Sequence, residues 1–215
     1  MEGKQNRIKQ WLNSGEYKTE IDLALTNILK KIKVSKSESE TSGIFETELY
    51  YLIRSKTGIE LEINKERPVE GIVHTFQGLN KRTSGKGRLD AVVNNLIIEY
   101  KHHTKLSTEK QINIAYEQVK DYLIALYDGN KGIKYDAILT DGINIGYFQI
   151  IGDEVKSTKL RILSVDDIDT IIRGILNNST KKFEPTNIVK DFSISPIVQS
   201  DTKNVAVILF NQLIS

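Results

Sequence analysis

Residues 87–101 read GRLDAVVNNLIIEYK and set two apolar, β-branched runs on either side of Asn94-Asn95. Asparagine tolerates the positive φ angles that a two-residue hairpin turn requires. With these two residues as the turn, Val93 pairs with Leu96, and every further pair of the hairpin follows from that register. The two predicted strands are Arg88–Val93 and Leu96–Lys101.

The same register brings two acidic residues opposite each other. It pairs Asp90 with Glu99, with Cβ atoms about 5 Å apart, and the two-residue period of a strand puts Lys101 on the same face. Two carboxylates on buried strands repel each other and lose hydration, so a bound divalent cation is the economical reason to keep both ionised. Mg²⁺ or Mn²⁺ accepts such oxygen ligands. Lys101 would stabilise negative charge on a reacting phosphate.

The spacing Glu/Asp-x-Lys is unspecific by itself, because it occurs five times in the chain. Only Glu99 ends a strongly apolar run and has an aspartate across a short turn. The nearest rival is Asp141 with Glu154 and Lys156, where the aspartate lies in a turn. A surface hairpin with an ordinary ion-pair network is the alternative interpretation, but the other residues of both strands are apolar, which favours a buried site.

Hydrophobic spacing predicts further helices and strands on both sides of the hairpin. The predicted helices are Lys18–Ile32, Thr41 or Ser42 to Lys56 with Gly58 as the stop, Thr108–Tyr127 and Val165–Leu176. The other predicted strands are Ile59–Lys65, Gly71–Phe76, Tyr135–Thr140, Asn144–Ile151 and Leu160–Leu163. Polar composition predicts loops at Lys33–Ser42 and Gly78–Gly87. These elements predict an α/β fold with a mixed central sheet flanked by helices and with helical additions at both ends.

Composition narrows the class of protein. The 215 residues carry a net charge of +2, so any surface that binds nucleic acid must concentrate its basic residues locally. The absence of cysteine excludes disulfides and thiolate metal sites. Neither a signal peptide nor an apolar run of membrane-spanning length is evident. A soluble cytoplasmic protein is expected.

Three phrases of the chain resemble the PD-(D/E)xK nuclease superfamily. They are GRLD leading to IEYK (residues 87–90 and 98–101), EQVKDY (117–122) and ILTDG (138–142). The resemblance covers about residues 45–150 and is strongest to the N-terminal nuclease region of type IIG restriction–modification enzymes, which fuse a nuclease to an adenine-specific DNA methyltransferase. It implies a restriction-endonuclease-like fold and metal-dependent hydrolysis of DNA. The implied metal ligands are Asp90, Glu99 and the Tyr100 carbonyl, with Lys101 as the catalytic cation.

The resemblance also implies an acidic residue on the helix before the sheet and a Gln-x-x-x-Tyr pair. Glu46 and Glu48 are the candidates on that helix. Glu48 is preferred because its apolar neighbours would turn it toward the sheet, although a solvated charge is an equal alternative. Gln118 and Tyr122 match the second motif and share a helix face. A polar rim beside a buried stripe is their alternative interpretation.

Basic residues cluster just before Asp90. Lys81, Arg82, Lys86 and Arg88 could contact DNA phosphates, and a solvated charge run is the alternative. His102 and His103 follow Lys101 directly. Adjacent strand residues point to opposite faces, so these two histidines are expected to be separate surface residues and not a pair of metal ligands.

Three regions are predicted along the chain: an N-terminal helical extension (1–40), the nuclease core (41–180) and a connector to a downstream domain (181–215). No methyltransferase motif is present, so methyltransferase and target-recognition domains would belong to a larger parent chain. Expected partners are DNA and those domains, with a possible dimer on DNA. The predicted function is a divalent-metal-dependent DNA endonuclease of a restriction system. A repair or recombination nuclease and a catalytically silent DNA-binding module are the alternatives.

Overall fold

A computed structural model describes residues 2–75, 82–129, 135–151 and 154–180 of the chain. Within these ranges, helices pack against a mixed β-sheet in an α/β arrangement, as the sequence predicts. The helices are α1 (Glu2–Leu12), α2 (Tyr17–Ile32), α3 (Glu38–Thr57), the 3₁₀ helix η1 (His103–Leu106), α4 (Glu109–Gly129) and α5 (Val165–Thr180). The strands are β1 (Asn64–Thr75), β2 (Arg82–Val93), β3 (Leu96–Tyr100), β4 (Asp136–Thr140), β5 (Asn144–Ile151), β6 (Glu154–Ser157) and β7 (Arg161–Ile162).

The strands form one mixed sheet in the order β1-β2-β3-β4-β5-β6, and β7 pairs with β5 beside β6. The pair β3–β4 is parallel and the other described pairs are antiparallel. A parallel neighbour requires a crossover connection, which α4 supplies. All five residues of β3 are buried, so the catalytic strand predicted from the sequence lies at the centre of the sheet.

The β2–β3 hairpin has the predicted register. Its ladder pairs Val93 with Leu96 and ends at the pair of Ala91 and Ile98, one residue short of Asp90 and Glu99. Of the two turn residues only Asn94 has a positive φ, of 55°. The expectation that both asparagines adopt positive φ is therefore wrong, while the turn itself is confirmed.

The strand alternation is interrupted at Asp90. Leu89 is buried in the core on the α4 side of the sheet, whereas Ala91 is buried in the core on the other side. Regular alternation would place Leu89 and Ala91 on the same face, but they lie on opposite faces. The residue pairs that join β1 to β2 do not include Glu66 and Asp90. Glu66 has a positive φ of 49°. A positive φ breaks the regular pleat of a strand, so β1 is irregular opposite the point where the faces of β2 change.

Two hydrophobic cores sandwich the sheet. Helices α1, α2, α3 and α5 pack on one face, and α4 packs on the other. Helix α3 begins where the Ser37 Oγ accepts a hydrogen bond from the Glu40 N–H at 3.1 Å. It ends at Gly58, whose φ of 67° confirms the predicted stop. The site described below lies between α3 and α4, at the end of β3.

Several element boundaries differ from the predictions. Helix α1 and strand β6 were not expected, and α3 begins inside the predicted loop Lys33–Ser42. Residues 59–63 are not a strand; β1 starts at Asn64 and runs on to Thr75 as one strand. The predicted loop Gly78–Gly87 is wrong from Arg82 onward, where β2 begins; its first residues, 78–81, lie outside the described residues. The predicted connector, residues 181–215, also lies outside them.

No helix in the described part of the chain is long and apolar enough to cross a membrane.

Candidate active site

The three predicted catalytic residues come together at the end of the hairpin that is opposite its turn. Glu99 belongs to β3, Lys101 follows it, and Asp90 comes from the neighbouring strand β2. The Lys101 N–H donates to the Thr140 carbonyl at 2.9 Å, which continues the pairing with β4 beyond the last residue of β3. The backbone that carries the lysine is therefore held by β4.

Glu99 is an almost fully buried carboxylate with one unsatisfied oxygen. Its side chain is 1% exposed, and its Oε1 lies 2.6 Å from the Lys101 ammonium. Its Oε2 is buried and has no hydrogen-bond partner among the described residues. Burial, with added repulsion from Asp90 and Glu38, raises the pKa of Glu99 to about 7, although Lys101 opposes this rise. An unpaired buried carboxylate oxygen is costly unless a ligand binds it.

Asp90 is held by the backbone of the opposite strand. Its Oδ2 accepts a hydrogen bond from the Tyr100 N–H at 2.8 Å. Burial raises the pKa of Asp90, and repulsion from the charges of Glu38 and Glu46 raises it further. The hydrogen bond from Tyr100 and the charge of Lys101 oppose this rise. The backbone N–H of Tyr100, the residue after Glu99, thus lies beside the Asp90 carboxylate.

Lys101 stays cationic inside this acidic cluster. Its side chain is 15% exposed, and its Nζ lies 4.0 Å from the Glu38 carboxylate. Burial alone would lower the pKa of Lys101, but the attraction of Glu99, Glu38 and Asp90 outweighs it and raises the pKa. The site therefore presents a fixed ammonium beside two carboxylates of reduced acidity.

The acidic residues of α3 are arranged differently from the prediction. The expected orientation of Glu48 is wrong: its carboxylate lies 2.6 Å from Lys31 and accepts from Asn27, because this face of α3 packs on α2. Glu46 pairs with Lys65 at 2.6 Å and keeps its Oε1 buried without a partner in the described part of the molecule. Glu38 and Glu46 are the α3 residues whose charges act on Asp90.

Glu38 was missed because the predicted helix started at Thr41 or Ser42. The serine-capped start of α3 at Ser37 is the signal that could have found it, since Ser37 and Glu40 follow the Ser-x-x-Glu capping pattern.

Gln118 and Tyr122 form the predicted pair on α4. The Gln118 amide donates to the Tyr122 hydroxyl at 2.9 Å, so the phenolic proton remains available to donate elsewhere. Burial raises the pKa of Tyr122, and the charges of Glu99 and Asp90 contribute to the rise. Tyr122 is 5% exposed and lies close enough to the acidic residues for their charges to affect its pKa.

Three of the four predicted basic residues belong to β2 and not to a loop. Arg88 has a side chain that is 72% exposed, and it pairs with the equally exposed Glu66 at 2.9 Å. Arg82 and Lys86 are strand residues whose side chains lie outside the description. Lys81 lies outside the described residues altogether.

The two histidines lie together, contrary to the prediction. Their ring centroids are 4.1 Å apart, because β3 ends at Tyr100 and His102 is already the N-cap of η1. The His102 Nε2 is 3.1 Å from the Ser35 carbonyl. A carbonyl can only accept, so this nitrogen carries the proton. His102 thereby connects the end of β3 to the α2–α3 connection.

The rival Glu-x-Lys group is structural. The Asp141 carboxylate accepts from the backbone N–H groups of Ile143 and Asn144 at 2.9 and 2.6 Å and so closes the β4–β5 turn. Glu154 and Lys156 form a separate, exposed ion pair on β6. The preference for Glu99 over this rival agrees with the geometry.

The oxygen atoms of this site suit an ion such as Mg²⁺ that takes few of its ligands from the protein. Among the described residues no group of three acidic or histidine side chains is arranged to hold a metal. Mg²⁺ is commonly bound by one or two carboxylates together with waters and substrate phosphates. Asp90 and the unsatisfied Oε2 of Glu99 meet that smaller requirement.

Comparisons of the chain with protein-family models, with curated proteins and with solved structures find no match.

Proposed function

We propose that this protein is a divalent-metal-dependent DNA endonuclease module with a restriction-endonuclease-like core. The observation that carries the proposal is the unsatisfied, buried oxygen of Glu99 next to the ammonium of Lys101 and beside Asp90. Two acidic residues and a lysine inside a sheet are costly to bury. Perturbed, buried ionisable groups of this kind are typical of active sites.

Each residue has a role that follows from its surroundings. Asp90 and Glu99 would hold Mg²⁺ or Mn²⁺, which supplies charge that polarises a phosphate and lowers the pKa of an attacking water. Lys101 is a fixed cation that stabilises negative charge developing on the phosphate. Tyr122, held by Gln118, has a free hydroxyl proton to donate to a phosphate oxygen.

The larger context is also part of the proposal. The mixed sheet between two helical layers is the arrangement that the resemblance to the PD-(D/E)xK superfamily implies. The phrases EQVKDY and ILTDG favour a restriction–modification enzyme as the parent, with methyltransferase and target-recognition domains elsewhere in it.

Cleavage of supercoiled plasmid DNA with Mg²⁺ or Mn²⁺ tests the proposal. Lys101→Ala removes the cation that stabilises the transition state, and we expect the cleavage rate to fall by about 10²–10³-fold. Lys156→Ala is the matched control, because Lys156 has the same Glu-x-Lys spacing on the exposed strand β6.

The control variant should cleave like the unaltered protein. Equal rates for all three proteins would reject the role of Lys101. Absence of cleavage by the unaltered protein with either ion would reject the nuclease and favour the silent DNA-binding module.

A further inference from the structure

We propose that the outer parts of β1 and β2 form a ribbon that enters the major groove of duplex DNA at the candidate active site. The ribbon consists of residues 67–75 and 82–89. The inference rests on the proposed function for the position of the DNA. It adds a contact surface, a groove and a preference for duplex over single-stranded DNA.

The pairing of the strands shows that the ribbon leaves the sheet. Strand β2 pairs with β3 only over Ala91–Val93, whereas its pairing with β1 continues to Arg82 and Thr75. On the N-terminal side of Asp90, β2 therefore has β1 as its only paired neighbour in the described part of the sheet. At about 3.3 Å per residue the ribbon extends roughly 20 Å from the site.

The base of the ribbon is anchored. Val69 and Leu89 are buried at 3% and 0% exposure in the same core as the α4 residues Val119 and Leu123. Asp90 directly follows Leu89. The direction in which the ribbon leaves the sheet is thus set by packing next to the candidate catalytic carboxylate.

The described basic side chain in this part of β2 is that of Arg88. Arg82 and Lys86 belong to the same strand. Leu89 packs toward α4, so Arg88, the preceding residue, lies on the face directed away from α4. The high exposure of Arg88 agrees with this assignment.

Charge and shape identify the occupant. The ribbon sequence contains four basic residues and a single acidic one, Glu70. The exposed pair of Arg88 with Glu66 is worth little in water, so a phosphate can replace Glu66. Two strands about 4.8 Å apart fit a major groove about 12 Å wide, and glycine at positions 71, 85 and 87 keeps the ribbon narrow.

The placement has a geometric consequence. A ribbon of roughly 20 Å that starts at Asp90 spans about six base pairs at 3.4 Å each. Its groove contacts therefore lie within about six base pairs of the phosphate that is held at the site.

Binding measured without catalysis tests the inference. The full chain is titrated in EDTA against a short fluorescein-labelled duplex by anisotropy, over a series of salt concentrations. The triple variant Arg82→Ala, Lys86→Ala, Arg88→Ala should bind the duplex more weakly. It should lower the slope of log K against log salt by about 0.9 for each lost phosphate contact. Binding of the single strand of the same sequence should change less.

The matched control is Lys9→Ala, Lys18→Ala, Lys159→Ala, which removes the same charge from exposed positions remote from the ribbon. An equal slope change in both triple variants would overturn the inference, as would an unchanged slope in the ribbon variant. Thermal unfolding of both variants verifies that each is folded.

A modified duplex tests the groove itself. Bulky substituents on C5 of the pyrimidines project into the major groove, and they should weaken binding of the unaltered chain but not of the ribbon variant. Equal binding of modified and unmodified duplex would overturn the groove assignment. Ribbon-dependent binding without plasmid cleavage would reject the nuclease alone, and cleavage with ribbon-independent binding would reject the ribbon alone.

Discussion

Burial and the attraction between opposite charges both act on the ion pair of Glu99 and Lys101. Burial makes the carboxylate hold a proton more tightly, while the surrounding carboxylates make the lysine hold its proton more tightly. Replacing such a buried pair with apolar residues is often neutral or stabilising. Its presence at the centre of a sheet is therefore better explained by function than by stability.

The raised pKa of Glu99 predicts a specific dependence of stability on pH in metal-free buffer. The folded state holds a proton up to about pH 7, whereas the ordinary value is 4.5. Between these two values the folded state binds more protons than the unfolded state, so the free energy of unfolding falls as pH rises. The contribution of Glu99 is on the order of 3 kcal/mol.

Urea unfolding of the unaltered protein and of Glu99→Gln, from pH 4.5 to pH 7 in EDTA, measures this contribution. The variant should lose the part of the fall that Glu99 contributes, since its amide does not titrate. Glu154→Gln is the control, because Glu154 is the exposed carboxylate of the other Glu-x-Lys group, and it should leave the fall in place. An unchanged pH dependence in Glu99→Gln would show that Glu99 is ionised throughout.

The turn between β4 and β5 packs tightly against α2. Gly142 has a φ of 79°, and a Cβ placed on it would lie 2.7 Å from two side-chain atoms of Ile32. Ile32 is fully buried at the end of α2. The turn at the carboxyl end of β4 thus tolerates only glycine while α2 keeps its position.

Gly142→Ala is therefore expected to lower the free energy of unfolding by about 2 kcal/mol or more, through backbone strain and overpacking. The matched control is Gly43→Ala in α3, where an added Cβ has nothing within 4 Å. A helix gains roughly 1 kcal/mol when alanine replaces glycine. Thermal or urea unfolding measures both changes, and equal effects of the two substitutions would contradict the close packing at Gly142.

The N-terminal helices and the sheet form one hydrophobic core. Ile28 and Ile32 of α2 belong to the same buried cluster as Phe45 of α3 and Tyr100 of β3. The division into an extension (1–40) and a core (41–180) remains a prediction. The shared cluster indicates that α2 supports the helix and the strand that carry the site.

This shared core predicts a large difference between two substitutions on one helix. Ile28 is fully buried and Leu23 is 60% exposed on α2. Ile28→Ala should cost about 2–5 kcal/mol of stability, while Leu23→Ala should stay within about 0.5 kcal/mol. Urea unfolding at neutral pH compares them. A small effect of Ile28→Ala would mean that α2 is a detachable extension.

Local chemistry was sufficient to predict the hairpin and its acidic residues. Asn94-Asn95 selects a tight turn, and a two-residue period then places Asp90, Glu99 and Lys101 at one end of two strands without knowledge of the remaining chain. Helix α4 with its Gln118–Tyr122 pair was equally accessible, because residues four apart on a helix are neighbours whatever surrounds the helix.

Three features depended on contacts between distant parts of the chain. Glu48 turns away from the site because α2 covers its side of α3, and the rotation of a helix against a sheet is set by such packing. The ribbon of β1 and β2 is held by backbone hydrogen bonds. Such bonds do not require a regular alternation of apolar and polar residues, so this glycine-rich sequence shows no strand pattern. The change of faces at Asp90 coincides with a break in the pairing with β1 at Glu66, which lies 24 residues away along the chain. Turns, strand periods and helix faces depend on neighbouring residues and can therefore be predicted from the sequence. The rotation of a helix against the sheet and the pairing of distant strands depend on tertiary contacts, so only the folded structure determines them.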